Sequence, residues 1–371
     1  MARNYQNQMK ICLFGSYVKD SYGIPSGNGG TLLKKILEMQ NVEVIECHEP
    51  IAKFSSILTA YLKLFFRHRK ISYDVLVIPW RGILTLPLVK IIHRKPIIYF
   101  PAFSIYDTLV YDLKKIKKNS LKARFVHFVD KLACNWVDKI VLESTEEINY
   151  FIKEFNICKE KFYQLPLAAD ESIFFPQIIK KMKKDFVVLF FGSFIPLHGI
   201  DIIVKAAIIL KDDHDIYFVI CGDGQTKPDI EKLIDENKVA NVKLLGHVSK
   251  ETLLENIINS DVCLGIFGNS YKAQKVVTNK VFQILVSQKP LITMESPAAL
   301  ESNLKNEINC ILVPPSCPKK LAEAILFLKN NPKKLEKIAV AGHQTYLESL
   351  SMKIVGEKLV KIIEQLISNR S

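Results

Sequence analysis

The feature that most constrains this chain is a pattern that runs through it twice: short apolar runs of strand length alternate with longer segments of helical period. Such alternation is the signature of βαβ units that build a parallel sheet. In the first series the strand candidates are Lys10–Gly15, Val42–Cys47, Asp74–Pro79, Pro96–Phe100, Lys139–Leu142 and Phe162–Leu165. Helices are expected between them over Thr31–Gln40, Ser55–Arg67, Ile83–His93, Ser120–Val137 and Thr145–Phe155. A second series of strands begins at Phe186–Phe191 and continues through Tyr217–Cys221, Val242–Leu245, Val262–Ile266, Pro290–Thr293 and Cys310–Val313. The fold class this predicts is α/β, with two doubly wound Rossmann-like domains facing each other across a cleft, where ligands of such sheets bind.

A length of 371 residues suits two domains that each bury a core. The expected division is an N-terminal domain over residues 1–170, a C-terminal domain over 171–350, and a helix over 351–371 that packs back on the first domain. The boundary falls in Pro166–Lys184, where proline, acid and a lysine cluster separate two periodic regions. In the last segment Ile354, Val355, Leu359, Ile362, Ile363 and Leu366 form one apolar stripe.

The eight cysteines contain no CxxC pair and several sit inside apolar runs, which reads as buried thiols of a cytoplasmic protein rather than disulfides or a zinc site. The polar start MARNYQNQMK is no signal peptide, and no apolar stretch is long enough to span a membrane.

Charge is where composition enters. The chain carries 51 Lys and Arg against 38 Asp and Glu, a net charge of +13. Residues 51–124 hold 15 of these bases and only 3 acids, whereas residues 171–371 are close to balanced, with 26 and 22. The excess belongs to one stretch of the first half. There, IAKFSSILTAYLKLFFRHRK (residues 51–70) has the apolar face of a buried helix and a basic end, and bases recur at Lys90, Arg94, Lys95 and Lys114–Lys118. We read this as docking on an anionic membrane surface, peripheral to the inner face of the cell membrane. Nucleic-acid binding has no motif behind it beyond charge.

Glycine turns follow the first strand of each half. Gly23 to Gly30 form a glycine-rich loop before a helix, which suits a phosphate but also simply turns a chain. In the second half FFGSFIPLHGID places Gly192 and Ser193 after a strand, Gly222-Asp223-Gly224 follows the next, and Gly265-Ile-Phe-Gly268 leads into a basic loop over Asn269–Lys280. Three such ends at one sheet edge describe a pocket for an anionic nucleotide.

These segments, with LLGHVSKETLLENIINSDVCLGIFG, NSYKAQKVVTNKVFQILVSQKPLIT and the hinge KFYQLPLAADESIFFP, resemble the family-4 retaining glycosyltransferases of the GT-B fold. The resemblance implies a nucleotide-sugar donor on the second domain, a glycan or lipid-linked acceptor approached from the first, retention of configuration, and no metal or other cofactor. It matches Gly29 and Gly30 to a glycine loop facing the donor phosphates, Gly192 and Ser193 to the family's GR turn, and His198 to the lysine that usually follows. With the usual Arg/Lys clamp absent, the phosphates fall to backbone amides, Gly222 and Asn279 at the same edge, and Lys272, Lys275 or Lys280 as mobile point charges. The family's E-x7-E element lands on Lys275 and Gln283, of which Gln283 can still accept from a ribose.

The strand ending YFPAFSIYDT lacks the family's usual histidine and leaves Asp107 as the nearest ionisable group, with Asp112 behind it. Asp107 either acts near the reacting sugar or caps the following helix. The leading function is glycosyl transfer in surface polysaccharide or glycolipid assembly. The alternatives are a nucleotide-sugar epimerase of the same architecture, or a catalytically silent nucleotide-sugar-binding subunit, which the replacement of both acids by Lys275 and Gln283 motivates.

Overall fold

The computed structural model describes residues 8–16, 20–21, 24–25, 29–51, 56–79, 82–92, 95–177 and 185–368. Gly23, Gly27, Arg94 and Lys180–Lys184, named above, lie outside them.

The first domain runs β1 (Lys10–Gly15), a short antiparallel pair β2 (Asp20–Ser21) and β3 (Ile24–Pro25), α1 (Gly30–Glu38), β4 (Glu43–His48), α2 (Ile57–His68) and β5 (Val75–Ile78). It continues through α3 (Leu86–Ile92), β6 (Ile97–Tyr99), α4 (Leu121–Trp136), β7 (Lys139–Leu142), α5 (Thr145–Phe155) and β8 (Phe162–Gln164). Its strands pair in parallel in the order β4-β1-β5-β6-β7-β8. Residues of β5 are buried throughout, as expected of a strand covered on both faces. Local signals set the helix ends: Ser120 caps α4, and Ser144 caps α5 by accepting from the Glu147 amide at 3.0 Å.

The second domain runs β9 (Phe186–Phe191), α6 (Ile200–Ile209), β10 (Ile216–Cys221), α7 (Lys227–Glu236), β11 (Val242–Gly246), α8 (Lys250–Asn259) and β12 (Val262–Leu264). It continues through α9 (Tyr271–Lys275), α10 (Asn279–Val286), β13 (Leu291–Met294), α11 (Pro297–Glu301), β14 (Ile311–Val313), α12 (Pro318–Asn330) and α13 (Pro332–Ser349). Its parallel order is β11-β10-β9-β12-β13-β14. The order reverses beside β1 in one sheet and beside β9 in the other, and such reversals open a crevice at the carboxyl ends of the strands.

Those carboxyl ends face each other. Contacts between the domains come from the segments after β6, β7, β10, β12 and β13: Gln225 donates to the Leu113 carbonyl, and Glu301 accepts from the Thr145 amide at 2.8 Å. The last helix, α14 (Met352–Ser368), lies on the first domain, where Val355, Leu359, Ile363 and Leu366 share one apolar cluster with Leu32, Leu33, Ile36 and Leu37 of α1. The connection between domains is clamped from both sides, by Lys35 on Asp170 and by Tyr346 on Ala169.

Three segments depart from the sequence reading. The helix expected over Ile83–His93 divides into a tight turn, Gly82–Thr85, and α3, because Pro87 cannot continue a hydrogen-bonded ladder begun upstream. The expected loop Asn269–Lys280 contains α9, capped by Ser270. After β6 the chain forms a π-helix over Asp107–Asp112.

Candidate active site

The crevice edge of the second domain is built around Gly192, just past β9. Its φ of +144° is one that side chains rarely adopt, and a Cβ there would lie 2.7 Å from the Lys280 Nζ. Gly222 braces it from behind, since a Cβ on Gly222 would sit 1.9 Å from the Gly192 carbonyl oxygen. Both glycines exist to let backbone and a buried lysine approach one point.

Lys280 is in the first turn of α10 and only 5% exposed, yet its Nζ has no hydrogen-bond partner among the described residues. It rests 3.9 Å from the centre of the Phe190 ring, and burial holds its pKa well below the ordinary lysine value. Beside it the side-chain oxygens of Thr278 and Asn279 are also buried without partners. Among the described residues a helix start, a buried lysine without a hydrogen-bond partner and two unpartnered polar atoms thus meet at one point, an arrangement that an anion would complete. Gln283, half-buried, follows one turn along the same helix.

His198 sits at this edge, but not as a cation. It is buried, its Nδ1 meets the Ser193 carbonyl, and burial together with the nearby Lys280 charge keeps its pKa well below the ordinary histidine value. With Nδ1 donating to a carbonyl, the neutral ring fixes the turn carrying Ser193. The expectation that it stands in for a lysine is corrected on that ground.

The expectation of mobile lysines at 272 and 275 is also corrected. Lys275 is 1% exposed, and its Nζ donates to Asp107 across the domain interface at 2.8 Å. The rings of Tyr150 and Tyr271 lie 3.6 and 4.3 Å away. Lys272 donates to the Thr108 hydroxyl at 2.9 Å and lies 3.8 Å from Asp112. The Ser144 hydroxyl, which caps α5, also binds the Lys275 carbonyl, so α5 and α9 are stitched together at both backbone and side chain.

The assignment of Asp107 as a catalytic group fails with the same pair: its carboxylate is buried and spent on Lys275. Nor does Asp107 cap the π-helix, because the Ser104 hydroxyl accepts from its amide. The acid that reaches the crevice is Asp112. It lines an interdomain pocket of about 270 Å³ with Phe103, Thr108, Lys272, Thr278 and Asn279. Among the described residues neither of its buried carboxylate oxygens has a hydrogen-bond partner, and burial raises its pKa against the pull of Lys272 at 3.8 Å.

Glu147 completes this interface cluster, which sets three carboxyls against two ammoniums. Burial pushes Glu147 up to about 8, against the pull of Lys275 and Lys272. Gly29 and Gly30 open α1 at the crevice edge of the first domain, with Gly29 as the cap residue. Among the described residues no group of three His, Cys, Asp or Glu is placed to hold a metal ion.

Residues 172–345 match the family of group 1 glycosyl transferases. An alpha-D-kanosaminyltransferase of Streptomyces kanamyceticus is 25% identical over 185 residues, 48% of this chain and 46% of that protein. The poly(ribitol-phosphate) alpha-N-acetylglucosaminyltransferase of Staphylococcus aureus is 21% identical over 259 residues, 66% of this chain and 51% of that protein. The chain thus spans about half the length of the curated relatives it matches. Among solved structures, Anabaena Alr3699/HepE in complex with UDP and glucose superposes with a TM-score of 0.67 at 16% identity, covering 96% of this chain and all of that one. The GT-B architecture is the one this chain adopts, and the match to group 1 glycosyl transferases falls on its second domain.

Proposed function

We propose that this protein transfers a glycosyl group from a nucleoside-diphosphate sugar to a hydroxyl of a glycan or lipid-linked acceptor, with retention of configuration, in the assembly of surface polysaccharide or glycolipid. The observation that carries this reading is Lys280: a buried lysine without a hydrogen-bond partner among the described residues, at a helix start, beside a glycine that admits close approach. A diphosphate supplies the missing charge, so donor binding relieves a cost that the empty pocket bears. The kanosaminyltransferase and poly(ribitol-phosphate) N-acetylglucosaminyltransferase relatives, and a structural neighbour holding UDP and glucose, support the same substrate class.

In this reading the sugar C1 bond to the diphosphate breaks and a bond to the acceptor oxygen forms on the same face. The acceptor proton passes to the departing phosphate oxygen, so no dedicated base is needed. Charge develops on the leaving diphosphate, where Lys280 and the amides of α10 are already oriented. Gln283 accepts from the ribose, and Asp112 is the acid placed to accept from a hydroxyl entering from the first domain. The reading takes no metal, because lysine and helix start together meet the diphosphate.

A thermal-shift panel of nucleotide-sugars tests it, since a ligand at 100 times its dissociation constant stabilises by about 2.7 kcal/mol. We expect a UDP-sugar to give the largest shift and Lys280→Met to remove it. No shift with any nucleotide or nucleotide-sugar would overturn the reading. Conversion of the donor in the absence of acceptor would instead identify an epimerase.

A further inference from the structure

On the first domain α2, α3 and α4 lie side by side over the same face of the sheet, sharing one apolar core beneath them. A hydrogen bond from the Tyr61 hydroxyl to the Leu84 carbonyl ties α2 to the segment that opens α3. Their outer surfaces are apolar where a solvated face is expected. On α2, Leu58, Leu62 and Phe66 are 70%, 52% and 61% exposed at four-residue spacing, which makes one stripe. On α4, Leu121, Phe125 and Phe128 repeat the arrangement at 82%, 66% and 56%. Ile91 of α3 stands between them at 81%. The second domain also exposes large apolar residues, but apart from Val340 and Leu347 of α13 they sit on separate elements.

Around these stripes basic residues dominate; Glu49, half-buried and paired with Arg67 at 2.7 Å and Lys63 at 3.5 Å, is the acid that meets them. Lys63, Arg67, Arg69, Lys70, Lys90, Lys95, Lys114, Lys115, Lys117, Lys118, Lys122 and Arg124 are exposed. No acid among the described residues from 56 to 131 is exposed: Asp74 is half-buried, and Asp107, Asp112 and Asp130 are buried. We infer that the outer face of α2, α3 and α4 seats on an anionic lipid bilayer, with Phe66, Phe125 and their neighbours at the acyl boundary and the bases among the headgroups. A second copy of the chain is disfavoured, because a two-fold interface would press this cationic face against itself. The sequence alone points to residues 51–70 and the bases at Lys90, Arg94, Lys95 and Lys114–Lys118; α4, far along the chain, adds three of the seven exposed apolar residues.

The π-helix joins this face to the crevice. Leu113 lines the interdomain pocket, and Lys114–Lys118 follow directly on the way to α4. Docking therefore sets the acceptor wall of the pocket at the membrane, within reach of a lipid-borne acceptor; that last step rests on the proposed transferase reading, whereas the docking does not.

The test is sedimentation of the full chain with vesicles of phosphatidylcholine alone or mixed equally with phosphatidylglycerol. Binding is expected only to the anionic vesicles and is released by salt. Phe66→Ser and Phe125→Ser should each weaken it about tenfold, and each of Lys70→Gln, Lys90→Gln and Lys122→Gln about fivefold. All five variants should keep the parent melting temperature and the UDP-induced shift. Absence of binding to either vesicle, equal binding by the phenylalanine variants, or a solution dimer that Phe66→Ser dissociates would overturn the inference. Vesicle binding without any nucleotide-induced shift would retain the docking and remove the transferase reading.

Discussion

Two buried lysines five residues apart in the chain meet opposite fates. Lys275, on α9, is neutralised by Asp107 of the other domain, between two tyrosine rings. Lys280, on α10, has no hydrogen-bond partner among the described residues. Burial costs both side chains their hydration, so the difference lies in what the fold returns. At Lys275 the protein repays it internally, and the result is a strut between domains. At Lys280 repayment is left to a ligand, and the result is a binding site.

The largest expected effect breaks the strut. Lys275→Ala strands the buried Asp107 carboxylate and should cost about 3–5 kcal/mol, read as a lower urea midpoint. The paired replacement Lys275→Met with Asp107→Leu should recover most of it and leave UDP affinity within about twofold. A strut that also held the donor would lose UDP binding in the double variant.

Next comes the site. Lys280→Met should weaken UDP binding by about 2–3 kcal/mol, roughly 30- to 150-fold by calorimetry, while the unliganded protein melts higher than its parent. Unchanged affinity would place the diphosphate elsewhere.

The interface cluster should also report pH. Glu147 is raised from an ordinary 4.5 to about 8, so over that interval the folded state holds a proton that the unfolded state has released. Stability from this group is therefore fully present below about 4.5 and is lost as pH rises towards about 8. Melting temperature should fall across that window, and Glu147→Gln, which stays neutral, should flatten the slope. The smallest effect is expected at Gln283→Ala, a loss of about 0.5–1.5 kcal/mol in UDP affinity with no change in the unliganded melting temperature.

The strands show why so much was legible. β1, β7 and β9 begin and end where the apolar runs do, because a strand buried on both faces must be apolar throughout. The glycine after β9 was equally readable, as only glycine tolerates that backbone beside a lysine. The site was read less well. Lys280, Asn279 and Gln283 share α10, so their placement followed from one helix. The sequence points Lys275 to the donor and Asp107 to the reaction, yet they bind each other. Asp112, placed behind Asp107 in the sequence reading, is the acid that lines the pocket, because a π-helix turns its side chain through a different angle than an α-helix would.

The sequence by itself determined two doubly wound sheets, their glycine turns and the imbalance of charge, since each of these is written in neighbouring residues through period, turn chemistry and composition. Only the tertiary structure decided which buried charges are answered and which are left open. Lys275 and Asp107 stand 168 positions apart, and their pairing depends on how the two domains dock. No local pattern encodes that distance; it emerges when both crevice edges are brought face to face and the low dielectric between them makes every unpaired charge count.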